Sequence, residues 1–307
     1  MSAATNETPI AAPTHATPEA PWRRFASEFA ESRIAIAGLA LFLALVFVAI
    51  TAPLISPQNP YDLAQLDVLD SKLPPGEHSA AGKTYWLGTD DQGRDMLSGI
   101  FYGLRISLSV GVASTVIALG LGLVLGLAAA YFEGWVDTIV MRVADIQLSF
   151  PAILIALILL AMMGQGTGKI VAALVTVQWA YYARTVRSAA IVERRKEYIE
   201  AARSLALSRP RIVFRHLLPN CLPPLIVVAT VQVAHAISLE ATLSFLGLGL
   251  PITEPSLGLL IANGFQYLLS GKYWISFYPG IALLATIVSI NLVADQLRDV
   301  LNPRLKR

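Results

Sequence analysis

The chain has 307 residues, of which 55% are apolar and only 14% charged, and its mean hydropathy is +0.60. A soluble protein carries roughly 25% charged residues, so one or two water-soluble domains of this size are excluded. The apolar content also excludes whole-chain disorder, the single cysteine, Cys221, excludes an internal disulfide, and a net charge of +2 is too small to suggest nucleic-acid binding.

Residues 1–33 are rich in Ala, Pro and Thr and hold no apolar run, which predicts a disordered tail. Charge-free apolar stretches follow, and a membrane crossing needs about 20 such residues. The first is Ile34–Ile55. It is span-length and not preceded by a shorter apolar core, so it is expected to be an uncleaved anchor. Residues 56–103 form a loop with seven acids against three bases. Ile106–Phe132 is the second span. It carries small residues at every fourth position (Ser114, Ala118, Gly122, Gly126, Ala130), a face for close packing either within the bundle or against a second subunit. Ile146–Met163 is the third, with Pro151 inside it, so a kink is expected. Ile170–Ala183 is the fourth and short. Its helix is expected to continue past Arg184 and Arg187, whose side chains can snorkel to headgroups. Leu222–Leu239, holding His235, and Phe277–Ala294 complete six. The long apolar runs do not fit a membrane barrel.

Six spans put both termini on one side. With the N-terminus inside, the inner segments hold 17 of the 23 basic residues, the bias expected of cytoplasmic loops. The richest is Arg184–Asn220, with nine basic residues and three acids. Ser188–Leu207 reads as a helix, Ser208-Arg209-Pro210 as a break, and Pro210 to about Leu217 as a second short helix. Pro219, Pro223 and Pro224 mark the exit into the next span. Ordered apolar positions (Ile199, Ala202, Leu205, Ile212, Leu217) predict a surface that covers a partner, the membrane face or the chain itself. His216 has no nucleophile or metal-like spacing around it, so catalysis is not expected. The chain also has no Gly-x-x-x-x-Gly-Lys-[Ser/Thr] phosphate loop.

Glu200-Ala201-Ala202, then Ile212, then His216-Leu217-Leu218-Pro219-Asn220 resembles the EAA loop of bacterial ABC-importer permeases. The family has Gly where Ala206 stands. Leu87–Asp95 running on to Leu108, Glu240–Gly249 and Asp295–Leu305 resemble matching segments of dipeptide, oligopeptide and nickel importer permeases. Together they identify the chain as similar to the second, C-type permease of the pair.

The resemblance implies an all-α membrane protein with the type I ABC importer permease fold. It implies a tail (1–33), a first helix (34–55), a periplasmic loop (56–103) and a permease core (104–307) with a cytoplasmic coupling loop at 188–220. The coupling residues would be Glu200, Ala201, Ala202, Ala206, Arg211, Ile212, His216, Leu217 and Pro219. Arg94 and Asp95 are read either as a local surface ion pair or as part of the outer gate or binding-protein dock. Glu240 is read on the same gate or binding-protein side and needs a partner, either a backbone N–H of the Gly247–Gly249 turn or Arg105.

The implied partners are membrane lipid, a homologous B-type permease, two cytoplasmic ATPases that bind the ATP, and a periplasmic or lipid-anchored binding protein. No cofactor is bound by the chain itself, and the location is the bacterial inner membrane with both termini inside. Di- or oligopeptides are the expected cargo, with nickel complexes as the alternative. A stand-alone secondary transporter is the rival class, but the six cores offer only His235 as an ionisable group.

Overall fold

The computed structural model describes residues 21–79 and 82–301. Among them there are helices and turns but no β-strand beyond two isolated bridges. The elements are α1 (Pro21–Ala30), α2 (Arg33–Ile55), α3 (Met96–Phe132), α4 (Gly134–Leu148), α5 (Ala152–Met163), α6 (Thr167–Arg194), α7 (Glu197–Ser204), α8 (Arg209–Phe245), α9 (Leu257–Phe265) and α10 (Trp274–Leu301).

The expected tail falls mostly outside the described residues. Its last part is not disordered: α1 is an amphipathic helix with Phe25 and Phe29 stacked at 6.4 Å, and its Glu28 carbonyl accepts from Gln296 on α10. The Ser32 hydroxyl caps α2 by accepting from the Ala35 N–H. Its 23 residues give about 34 Å of helix, enough for a hydrocarbon core of about 30 Å.

α3 begins at Met96, well inside the stretch expected to be loop. The Asp95 carboxylate starts it by accepting from the Ser98 N–H and hydroxyl. The small-residue face of α3 packs within the bundle, against α6. A Cβ on Gly122 would lie 2.4 Å from Tyr182 Cβ, and one on Gly126 2.5 Å from the Ala183 carbonyl. Glycine is therefore a requirement of the contact.

The third expected span is broken, not kinked. α4 and α5 meet at 91°, with Pro151 immediately before α5. Pro151 has no N–H for the carbonyl one turn back, so the α4 ladder ends there. Arg184 and Arg187 do not reach for headgroups. They pair with Asp145 and Asp137 of α4, and Gln147 bonds the Trp179 indole and the Val177 carbonyl of α6.

Four helices (α2, α3, α8, α10) are long and apolar enough to cross a membrane, and the bent α4–α5 pair makes a fifth if counted as one span. The expected six differ by α6. It has 28 residues but is less apolar, because protein surrounds it. Tyr182 and Val186 are fully buried against α3 and α8, and Ala183 against α3 and α4, so lipid does not dictate their chemistry. Ala156, Leu160, Ile170 and Leu174 form a second core between α5 and α6.

Gly126→Ala is expected to lower the yield of folded, detergent-purified protein several-fold. Gly120→Ala, where a Cβ meets nothing within 4 Å, should be neutral. Size-exclusion profiles of the two variants check this.

Candidate functional site

Two regions hold the residues singled out by sequence. One is the elbow between α6 and α8. The other lies at the opposite ends of α3 and α8.

At the elbow, the expected helix 188–207 is interrupted. α6 ends at Arg194, Arg195 and Lys196 turn, and α7 follows. α7 then closes in a Schellman arrangement. The Leu207 N–H bonds the Ala202 carbonyl and the Ala206 N–H bonds the Arg203 carbonyl. This requires the left-handed region at Ala206, whose φ is 53°. The chain thus keeps the turn that the family makes with glycine and carries the alanine penalty of about 1–2 kcal/mol. The expectation of a helix running on to Ser208 is not met.

The second short helix does not end at the prolines. It runs straight into α8 as one 37-residue element, Arg209–Phe245. Its junction is a wide turn over Ile212–Leu217, in which the Leu218 N–H reaches the Val213 carbonyl five residues back. Such π turns are rare and concentrate at functional sites. Pro219 sits in the first turn after it, where a missing N–H costs least, and Pro223 and Pro224 lie inside the helix.

The five apolar elbow positions do not act together. Ile199, Ala202 and Ile212 pack on one another and on Leu207, and Leu217 is buried in the α3–α6–α8 core. Only Leu205, 74% exposed, faces outward. Phe214, 66% exposed, joins it and was missed. The signal was present: Phe214 lies between Arg211 and Arg215, an aromatic ring on the polar face of a basic helix. Glu200, Ala201 and Arg211 are also exposed, and His216 is half-buried.

A hydrogen-bond clamp fixes α7 to both long helices. Tyr198 donates to Glu193 at 2.7 Å, Lys196 pairs with Glu193 at 2.6 Å, and Asn220 donates to Tyr198 at 3.1 Å and to the His216 carbonyl at 2.7 Å. Burial, then the hydrogen bond to Glu193, pushes the Tyr198 phenol up to about 12. It therefore stays a donor across physiological pH. Arg194 donates to the Ala130 carbonyl at 2.7 Å and pairs with Glu133, which ties the elbow to the end of α3.

At the opposite end, the expected Arg94–Asp95 ion pair is absent. Arg94, 2% exposed, pairs instead with Asp90 at 2.6 Å and donates to the Ile252 carbonyl at 2.9 Å. It is a strut between the 56–95 loop and the segment after α8. Glu240 is fully buried, and neither expected partner serves it. Arg105 is exposed, whereas Ser107 and Ser244 donate to the two carboxylate oxygens at 2.9 and 2.7 Å. The carboxylate thereby pins α8 to α3.

Residues 122–307 match the family described as binding-protein-dependent transport system inner membrane component. Residues 20–75 match the N-terminal transmembrane domain of oligopeptide transport permease C. Among curated proteins, a putative peptide transport system permease of Brucella suis is 42% identical over 270 residues, covering 88% of this chain and 87% of that protein. The dipeptide transport system permease DppC of Alkalihalophilus pseudofirmus is 36% identical, covering 94% and 92%. The glutathione transport system permease GsiD of Pectobacterium atrosepticum is 35% identical, covering 93% and 92%. Among solved structures, an inward-facing form of the MetNI methionine ABC transporter aligns with a TM-score of 0.51 at 20% identity, over 67% of this chain and 96% of that one. That likeness shows a shared fold.

Ala206→Gly is expected to stabilise the protein by about 1 kcal/mol, because glycine enters the left-handed region freely. Thermal melting of the detergent-purified variant checks this. A lowered midpoint would mean that the turn does not depend on φ at this residue.

Proposed function

The chain belongs to the family of binding-protein-dependent transport system inner membrane components, as a C-type permease, and from that premise we propose how its elbow and spans serve import. It is a multi-pass inner-membrane subunit of an ABC importer, not an enzyme, and ATP is hydrolysed on separate subunits. Its cargo is peptide, as the names of its relatives indicate for them.

The observation that carries the coupling role is the exposed face of the elbow. Leu205 and Phe214 point outward from a basic loop whose inner apolar face is already packed. An apolar pair held on a clamped helix turn suits a groove on a partner protein. We assign that partner as a cytoplasmic ATPase, with Glu200, Ala201, Leu205, Arg211 and Phe214 at the contact. Ala202, Ala206, Ile212, His216, Leu217 and Pro219 shape the elbow from within. The remaining partners are a homologous second permease and a binding protein on the other side of the membrane. Arg94, Asp95 and Glu240 hold that side together from the interior. The excess of Lys and Arg in 184–215 supports a cytoplasmic position for the elbow and both termini.

Leu205→Asp and Phe214→Asp are each expected to reduce ATPase co-purification and peptide uptake about tenfold or more, since each puts a charge into an apolar contact. The amount of inserted chain should not change. Undiminished co-purification in both would overturn the docking assignment. Reporter fusions at Gln65 and Arg195 should read outside and inside, and the opposite pattern would overturn the orientation.

A further inference from the structure

A cleft of about 400 Å³ opens between α5, α6 and α8, within the range of ligand sites, about 300–1,000 Å³. Its polar lining is Gln178 and Tyr181 from α6 and Gln232, His235, Ser238 and Thr242 from α8. His235, Ser238 and Thr242 recur three and four residues apart, so they form one stripe along α8, and all three are exposed. His235 lies ten residues before the end of α8, about 15 Å along the helix axis.

The decisive feature is one unpaired atom in the wall of this cleft. Gln178 is only 3% exposed, and its Oε1 has no hydrogen-bond partner, whereas the Thr242 hydroxyl donates to the Ser238 carbonyl. A buried polar atom left unpaired costs several kcal/mol. Glu240 is bonded at both carboxylate oxygens, whereas Gln178 Oε1 is open. It needs water or a polar solute.

We propose that this cleft forms part of the solute route, and that Gln178, Gln232 and His235 recognise the peptide units of the cargo in transit; the proposal rests on the peptide-importer reading above. Amide and imidazole side chains both donate and accept, as does each peptide unit. The lining contains no Asp, Glu, Lys or Arg. Neutral hydrogen bonds hold a peptide in the passage without trapping it, which conduction requires.

The test uses the complete importer, expressed with its other subunits, and radiolabelled dialanine as probe. Cysteines replace His235, Ser238 and Thr242 one at a time, with Phe47→Cys on the exposed face of α2 as a lipid-side control. The native Cys221 is buried. A charged, membrane-impermeant thiol reagent should label the three stripe positions, spare Phe47→Cys and block uptake. Gln178→Leu, Gln232→Leu and His235→Leu should each cut dialanine uptake about tenfold, the scale of one lost hydrogen bond to a buried group, with assembly and ATPase activity retained.

Unlabelled stripe cysteines in an assembled complex would place the stripe against the second permease and overturn the proposal. Labelled cysteines with full uptake by all three leucine variants would also overturn it. Labelling without any dialanine uptake by the wild-type importer would instead remove the peptide reading and keep the aqueous passage.

Discussion

The close approach of α3 to α6 at Gly122 and Gly126 is the constraint from which the remaining arrangement follows. Helices in lipid gain little from hydrophobic burial, so their association depends on backbone proximity and dispersion contacts. With no side chain at these two positions, Tyr182, Ala183 and Val186 can lie directly on α3. That places α6 inside the protein, where it is released from the rule that a membrane helix must be apolar all round. Gln178, Tyr181 and the arginines at 184, 187 and 194 become affordable only because α4, α5 and α8 close around the same helix.

Buried polar groups then sort into two kinds. Glu240 is sealed by Ser107 and Ser244, and Arg94 is held by Asp90 and the Ile252 carbonyl with its Nη2 left unpaired. These groups join elements. Gln178 has an unpaired Oε1 and, with Gln232 and His235, adjoins an open cleft. Charge alone would have ranked Glu240 and Arg94 as functional and passed over two glutamines. Satisfaction of hydrogen bonding lowers Glu240 in that ranking, because a buried group is available to a solute only while its own partners are missing.

The positions of the apolar runs and of the elbow were legible in sequence because both rest on local patterns. Apolar length marks a span, and the order Glu200-Ala201-Ala202 through Pro219 marks the turn. Three features were not legible, each for a physical reason. The 91° break at Pro151 depends on Gln147 and Ser149 finding partners that end the α4 ladder, and periodicity cannot distinguish a kink from a break. The start of α3 at Met96 is set by the Asp95 cap, which resembles any acidic loop residue until its Ser98 partner is located. The roles of Leu205 and Phe214 depend on which side of a short helix is already packed, and that is decided by Ile199, Ala202 and Ile212 together.

The elbow and the cleft are joined by one element, and that sets how a push at one is felt at the other. Phe214 and His235 lie on the same uninterrupted helix, 21 positions apart, or about 32 Å of axial rise. Between them come the π turn ending at Leu217 and the prolines at 219, 223 and 224, where ladder bonds are missing or widened. A helix weakened near its base bends there and stays straight beyond. Tyr198, Asn220 and Glu193 brace α7 against the base of α8, so a load on the elbow reaches α8 at its softest section. Under the proposed function, closure of an ATPase on Leu205 and Phe214 would pivot the upper part of α8 as a rod. The stripe of His235, Ser238 and Thr242 would move as a unit relative to Gln178 on α6. α6 is held by α3 through the two glycines and by α4 through the Asp137 and Asp145 pairs. A pivoting α8 against a fixed α6 opens or narrows the cleft between them, and no further moving part is required.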